Sequence, residues 1–186
     1  MAATACRETR CTSGGAKACR DPPGSLGTPK LCFSHVLCPK PVIIFGGYVF
    51  VPNFLDTNVL LYSVGDAPAD AKKREVALQL LRHRDSVVSI QVLQEFFHQA
   101  TRPSRRDRMT ADIAIGFVES WHRFEIVENT AEILAVGMAL SRDHRLSIWD
   151  ALIVAAAQQS GCEKLLTEDL SHGQRFGSLR VENPFL

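Results

Sequence analysis

The chain has 186 residues, of which 46% are hydrophobic and 22% are charged, and this composition excludes a disordered or collagen-like protein. Its 21 basic and 20 acidic residues leave a formal net charge of +1. The whole-chain charge therefore does not indicate a strongly basic nucleic-acid-binding protein or an acidic solvating protein.

The first fifty residues differ in composition from the rest. They hold six basic and two acidic residues, five of the six cysteines and five of the nine prolines, whereas the remaining 136 residues hold 15 basic and 18 acidic residues. The cysteine spacings match no zinc-site pattern. We expect residues 1–47 to be a disordered or misassigned leader and residues 48–186 to form the folded domain.

Nothing in the sequence predicts a membrane protein. The apolar run over residues 42–51 is interrupted by two glycines and is too short to span a bilayer. The only cysteine of the domain, Cys162, lies in an apolar helical pattern and indicates a buried thiol. We therefore expect a cytoplasmic protein with no membrane partner.

From Tyr48 onward, short apolar runs alternate with helical patterns. The run from Tyr48 to Leu55 predicts a buried strand that ends at Asp56, and Asp56, Thr57 and Asn58 are capping residues for a short helix over 59–64. The remaining predicted elements, in chain order, are a helix over 68–82, a strand over 86–90, a helix over 91–100, a basic loop over 101–108, a helix from 110, a strand over 124–127, helices over 130–142 and 148–159, and strands over 164–167 and 179–181. This alternation predicts an α/β protein with a mostly parallel sheet of four to five strands and helices on both faces.

Four acidic residues follow or precede the predicted strands. Asp56 ends the first strand, Asp169 comes two residues after the fourth, and Glu95 and Asp150 lie in early turns of helices. Because ligands of open parallel sheets bind beyond the carboxyl ends of the strands, the four carboxylates could converge at one edge. Taken singly, each has an ordinary alternative as a helix cap, a first-turn charge, a turn residue or a solvated residue.

Carboxylates that converge raise one another's pKa unless a multivalent cation keeps them ionised. Oxygen ligands without histidine or cysteine favour Mg²⁺ or Mn²⁺ over zinc. Such a cluster can hold two ions about 4 Å apart, which activate a water and stabilise the leaving oxygen of a phosphodiester. The pattern therefore indicates metal-assisted phosphodiester hydrolysis.

Three segments carry a resemblance to a known family. Residues 54–62, FLDTNVLLY, resemble the opening motif of PIN-domain nucleases, close to the VapC-type toxins of prokaryotic toxin–antitoxin pairs. Residues 147–157, SIWDALIVAAA, resemble the third acidic motif of that family, and residues 165–170, LLTEDL, resemble the fourth. The motif around Glu95 rests on order and placement. The resemblance covers residues 50–186.

The resemblance implies a three-layer α/β/α PIN fold and Mg²⁺- or Mn²⁺-dependent endonucleolytic cleavage of RNA by a two-metal mechanism. It also implies a cognate antitoxin and a homodimer. By motif, the catalytic and metal-binding acids would be Asp56, Glu95, Asp150 and Asp169, with Thr57, Asn58 and Thr167 in support. The family's Thr-x-Asp pattern selects Asp169 rather than the adjacent Glu168.

Other surfaces and functions remain open at this point. Four arginines of the basic loop are candidates for holding the RNA backbone, with an ordinary solvated loop as the alternative: Arg102, Arg105, Arg106 and Arg108. The apolar helix with Ile113, Phe117 and Trp121 is a candidate dimer face. The competing functions are a non-catalytic PIN-fold module that binds RNA or protein, and a haloacid-dehalogenase-like phosphatase. The phosphatase would need a second carboxylate two residues after Asp56, where this chain has Asn58.

Overall fold

The structure, a computed structural model, describes residues 44–45, 48–49, 52–83, 85–105 and 107–186. Most of the predicted leader, and Arg106 of the basic loop, lie outside the described residues. The strands are β1 (Ile44–Phe45), β2 (Tyr48–Val49), β3 (Asn53–Leu55), β4 (Ser86–Ser89), β5 (Glu125–Val127), β6 (Lys164–Leu166), β7 (Arg175–Phe176) and β8 (Leu179–Glu182). The helices are α1 (Thr57–Val64), α2 (Ala71–Arg82), α3 (Ile90–Thr101), α4 (Ala111–Trp121), α5 (Ala131–His144) and α6 (Ile148–Gln159), with a 3₁₀ turn at Pro68–Asp70 before α2.

Six strands form one sheet in the order β5-β4-β3-β6-β8-β7. All neighbours are parallel except β7, which pairs antiparallel with β8. Helix α1 contacts α2 and α3, and α3 contacts α4, whereas α5 packs against α6. The predicted α/β fold with a mostly parallel sheet is confirmed, and the helices form the layers that a three-layer α/β/α arrangement requires.

Two details of the sheet differ from the sequence-based expectation. The long first strand from Tyr48 to Leu55 is wrong in extent, because only β3 enters the six-stranded sheet, while β2 pairs antiparallel with β1 in a separate two-stranded sheet. Pro52 precedes β3, and a proline has no backbone N–H to donate to a neighbouring strand. Strand β7 was not predicted, since two residues are too few to show a pattern.

Strand β3 occupies the centre of the sheet between β4 and β6, with Phe54 opposite Val87 on one side and Leu165 on the other. These three side chains are fully buried or nearly so. Burial on both faces explains why the strands are short continuous apolar runs rather than alternating ones. The carboxyl ends of β3, β4 and β6 therefore meet at one edge of the sheet, where the helix starts at Asp56 and Ser89 lie.

An aromatic cluster joins α3 to α4 and buries Trp121, one residue of the candidate dimer face. The ring of Phe96 contacts Trp121 at a centroid distance of 4.6 Å and Phe117 at 6.5 Å, both edge to face. Trp121 is only 3% exposed, whereas Ile113 is 53% exposed. Trp121 thus belongs to the core of this chain, whereas Ile113 remains exposed, and the dimer face on α4 stays a prediction.

Helices α5 and α6 pack closely where Gly137 faces Leu152. A Cβ atom at Gly137 would lie 2.6 Å from Leu152 Cδ2, so the absence of a side chain permits this approach. The contact fixes α6, the helix that carries Asp150. No helix among the described residues has both the length and the apolar character that a membrane span requires.

Candidate active site

Asp56 lies at the junction of β3 and α1. Its backbone N–H donates to Leu166 O at 3.1 Å, and its side chain caps α1 by accepting the Thr57 backbone N–H at 2.6 Å. The other carboxylate oxygen, Oδ2, accepts from Thr167 Oγ1 at 2.6 Å and from Asn58 Nδ2 at 3.2 Å. With only 5% of its surface exposed, Asp56 is held at the bottom of the site.

Burial raises the pKa of Asp56 from its ordinary value of 3.8 to about 7. The hydrogen bonds from Thr167 and Thr57 lower this pKa, but the negative charges of Asp169 and Glu95 raise it further. The three acids are therefore close enough to repel one another. A buried carboxylate in this position favours either a proton or a cation beside it.

Glu95 and Asp169 are joined to Asp56 through the predicted supporting residues. Thr57 Oγ1 donates to Glu95 Oε2 at 3.1 Å, and Asn58 Nδ2 donates to Asp169 Oδ2 at 3.3 Å. The backbone N–H of Asp169 donates to Thr167 Oγ1 at 3.0 Å. One hydrogen-bond network thus brings together three of the four predicted acids.

Asp150 is attached to this network only indirectly. Its Oδ2 accepts from Ser147 Oγ at 2.7 Å, and its backbone N–H donates to the same hydroxyl at 3.1 Å, which together cap α6. The amide of Gln91 donates both to Glu95 Oε1 at 2.9 Å and to the carbonyl of Trp149 at 3.0 Å. The start of α6 is therefore tied to Glu95, while the Asp150 carboxylate is bound to its own helix cap.

Gln91 is a residue of the candidate site that the sequence analysis did not identify. It lies one helical turn before Glu95, and an amide at that spacing can reach the carboxylate of the later residue. That spacing was visible in the sequence, but the contact with Trp149 depends on how α3 and α6 pack.

The residues at this edge fit a hard divalent cation. The donors are carboxylate, hydroxyl and amide oxygens, which Mg²⁺ and Mn²⁺ prefer. Asn58 Oδ1 is buried without a hydrogen-bond partner, so an acceptor remains free beside the acids. Within the described ranges, however, no three acidic, histidine or cysteine side chains are spaced to enclose an ion as they stand. Binding would therefore require carboxylates to rotate toward the ion.

Arg105 of the basic loop lies at the end of α1 opposite Asp56. Arg105 donates through Nε and Nη2 to the carboxylate of Asp107 at 2.8 and 3.0 Å, so its charge is paired within the loop. A Cβ at Gly65 would lie 3.9 Å from Arg105 Nη2, which places this guanidinium at the C-terminal end of α1, whereas Asp56 caps the N-terminal end. The RNA-binding role of Arg105 stays a prediction. Arg102 and Arg108 are exposed.

A comparison with family models identifies the domain: the model of the PIN domain matches residues 54–174. The chain belongs to the PIN domain family. The resemblance seen in the acidic motifs is thereby confirmed for the segment that contains all four predicted acids. A comparison with curated protein sequences gave no significant match.

Several solved structures share the fold of this PIN domain. A toxin–antitoxin complex from Klebsiella pneumoniae is 21% identical with a TM-score of 0.55, and the match covers 71% of this chain and 97% of the compared chain. The DNA-bound VapBC of Salmonella typhimurium is 19% identical with a TM-score of 0.52, covering 73% and 99%. VapBC2 of Rickettsia felis, bound to a promoter fragment, is 19% identical with a TM-score of 0.51, covering 70% and 97%.

Proposed function

We propose that this PIN domain is a divalent-metal-dependent endoribonuclease and the cytoplasmic toxin of a toxin–antitoxin pair. The observation that carries the proposal is the burial of Asp56 beside Glu95 and Asp169 at the carboxyl edge of the sheet. Nuclease activity agrees with membership of the PIN family. Mg²⁺ or Mn²⁺ and an RNA substrate are the finer parts of the proposal.

Asp56, Glu95 and Asp169 would hold the metal, with Asp150 joining them on release from Ser147. A bound Mg²⁺ or Mn²⁺ lowers the pKa of a water and neutralises charge on the phosphate, and a pair of ions does so at both the attacking and the leaving oxygen. The protein contributes the orientation of these acids. Thr57 fixes Glu95, Thr167 fixes Asp56, and Asn58 holds Asp169.

A non-catalytic module of the same fold is the second candidate. The observation in its favour is the bond between Asp150 and Ser147, since it leaves the fourth acid outside the network that joins the other three. The phosphatase alternative loses its support, because Asn58 directs an amide toward Asp56 and the chain belongs to the PIN family.

Cleavage of RNA with Mn²⁺ separates the two candidates. We expect the purified protein to cut labelled RNA internally with Mn²⁺, EDTA to stop the reaction, and Glu95→Gln to lower the rate by about a hundredfold because the amide removes a negative oxygen ligand. Glu119→Gln, on the exposed side of α4, is the matched control and should keep the rate. Cleavage that is unaffected by EDTA or by Glu95→Gln would refute the metal-dependent proposal, and no cleavage would favour the binding module.

The exposed ring of Trp149 supports an unpaired nucleic-acid substrate. Trp149 precedes Asp150, is 62% exposed, and has its backbone carbonyl fixed by the same Gln91 amide that binds Glu95. An exposed aromatic ring beside a phosphodiester site can stack on an unpaired base, which contributes about 1–3 kcal/mol per base.

Trp149→Ala is therefore expected to raise KM for single-stranded RNA by about tenfold, with kcat changed less, in steady-state cleavage assays. Trp149→Phe should retain most of the affinity. Met138→Ala is the control, because Met138 is also largely exposed, at 54%, but lies on α5. An equal effect of both alanine variants, or none at Trp149, would contradict a stacking role.

We propose that a protein antitoxin and a second copy of the chain complete the assembly. The compared structures include toxin–antitoxin complexes, which supports an antitoxin partner. In this chain a groove of about 520 Å³ lies between α1, α2 and α4. Its lining combines apolar side chains, among them Leu78 and Phe117, with the cationic side chains of Arg82 and Arg123. An apolar antitoxin segment with acidic flanks fits this groove.

Leu78→Asp is expected to weaken binding of the purified cognate antitoxin by at least about tenfold, because it places a charge in the apolar lining. Leu134→Asp is the matched control, since Leu134 is similarly exposed but lies on α5. Isothermal titration measures both. Equal weakening by the two variants would place the antitoxin elsewhere.

A further inference from the structure

Next to the acidic site, four side chains from separate parts of the chain form what we term the Lys73 cluster: Tyr62, Lys73, Glu168 and Phe185. Lys73 Nζ donates to Glu168 Oε2 at 2.6 Å and to the Tyr62 hydroxyl at 2.8 Å. The Tyr62 hydroxyl donates to the other carboxylate oxygen, Glu168 Oε1, at 2.5 Å. Both oxygens of Glu168 are thus bonded.

Aromatic contacts hold the cluster together. The rings of Tyr62 and Phe185 meet edge to face at a centroid distance of 5.0 Å, and Lys73 Nζ lies 4.4 Å from the Tyr62 ring and 5.5 Å from the Phe185 ring. The bonds to Glu168 and Tyr62 hold the pKa of Lys73 above its usual value. Lys73 therefore remains charged and paired at physiological pH.

Glu168 lies between two residues of the acidic network and is itself bonded within the Lys73 cluster. Its two neighbours in the chain belong to the acidic network: Thr167 donates to Asp56, and Asp169 accepts from Asn58. Glu168 is chemically as able to bind a cation as Asp169 is, and it has a longer side chain. The Thr-x-Asp pattern selects Asp169 by resemblance, and the bonds from Lys73 and Tyr62, which occupy Glu168 alone, give a physical reason for the same choice.

We propose that Lys73 and Tyr62 are positioning residues that hold Glu168 away from the metal centre, so that Asp169 alone of the two acids faces it. The inference rests on the proposed function, because it assigns the choice of ligand within that same site. Without Lys73, Glu168 loses its cationic partner and keeps only the bond from Tyr62, so its carboxylate, one residue from the network, can turn toward the ion and compete for it. The fixed turn also keeps Thr167 and Asp169 on their partners.

A double-mutant cycle on Mn²⁺ binding tests this selection, with isothermal titration of the purified full chain as the readout. In the wild-type background, Asp169→Asn should weaken Mn²⁺ binding by about tenfold or more. In the Lys73→Met background, Asp169→Asn should weaken Mn²⁺ binding by no more than about threefold, because Glu168 can then replace the lost ligand. When Glu168→Gln is combined with Lys73→Met, Asp169→Asn should again weaken Mn²⁺ binding by about tenfold.

The outcomes separate this inference from the proposed function. If the wild-type chain binds no Mn²⁺, both the proposed metal site and the inference are wrong. If Asp169→Asn has no effect on Mn²⁺ binding, Asp169 is not a ligand and the inference is wrong, whereas a site formed by Asp56 and Glu95 still stands. If Asp169→Asn costs the same with and without Lys73→Met, only the selection is wrong. A purely structural role of Lys73 would lower the melting temperature and leave the cost of Asp169→Asn unchanged. Should Lys73→Met not fold, Tyr62→Phe removes one of the two bonds and must reduce that cost in the same direction.

Discussion

Asp56→Asn is expected to lower Mn²⁺-dependent RNA cleavage by about a thousandfold or more, equivalent to about 4 kcal/mol of transition-state stabilisation. Asp56 is the most buried acid of the network and accepts hydrogen bonds from Thr57, Asn58 and Thr167. An asparagine has nearly the same shape but offers one oxygen and no charge to an ion. Single-turnover cleavage of a labelled RNA measures the loss.

Asp56→Asn lowers the cleavage rate, but we expect it to stabilise the metal-free protein against unfolding, by an amount that depends on pH. The folded-state pKa of Asp56, about 7, exceeds the ordinary value of 3.8, so ionisation of this buried group opposes folding. This loss of folding stability is absent below about pH 4 and reaches its full size above about pH 7. The free energy of unfolding of Asp56→Asn should therefore increase relative to that of wild type between pH 5 and pH 8, which means that the variant becomes relatively more stable.

Asp143→Asn is the matched control for both measurements. Asp143 pairs with Arg142 at the surface, and its side chain is 55% exposed. This variant should keep wild-type cleavage and show no comparable change of relative stability with pH. If Asp56→Asn instead became less stable relative to wild type as the pH rises, the buried acid would not carry the cost assigned to it.

Mn²⁺ should bind about ten times more weakly at pH 6 than at pH 8. Near pH 6 the Asp56 carboxyl, with a pKa of about 7, is mostly protonated, and the ion must displace that proton. Isothermal titration in buffers of different ionisation enthalpy measures both the affinity and the protons released. We expect close to one proton released at pH 6 and almost none at pH 8.

This dependence should disappear in Asp56→Asn, whose residual binding would vary little over the same range. Asp143→Asn should behave as wild type does. An affinity that is equal at pH 6 and pH 8 in the wild-type chain would show that Asp56 is not among the groups that bind the ion.

The sequence predicts which acids lie at the carboxyl edge of the sheet, but it predicts the side-chain contacts among them less well. Asp56 could be placed because a charge directly after a buried strand, followed by Thr57 and Asn58, is a helix-capping pattern at a strand end. Glu95 and Asp169 followed from the parallel order of β3, β4 and β6, which brings their carboxyl ends together. These are local signals combined with a general rule of topology.

What the sequence could not predict depends on side-chain partners. The bond between Ser147 and Asp150 competes with convergence of the fourth acid, and both arrangements are compatible with the same capping sequence. The pairing of Arg105 with Asp107 was likewise open, because a run of charges does not show which of them neutralise one another. The contacts of Lys73 with Glu168 join residues 95 positions apart, which no periodicity reveals.

The central claim is that Asp56, Glu95 and Asp169 hold a divalent cation. The most direct measurement is the anomalous scattering of Mn²⁺ in a crystal of the full chain grown or soaked with MnCl₂. We expect a peak within about 2.5 Å of carboxylate oxygens of Asp56 and at least one of the other two acids. Mn²⁺ bound only elsewhere, or no peak at this edge at saturating concentration, would contradict the account.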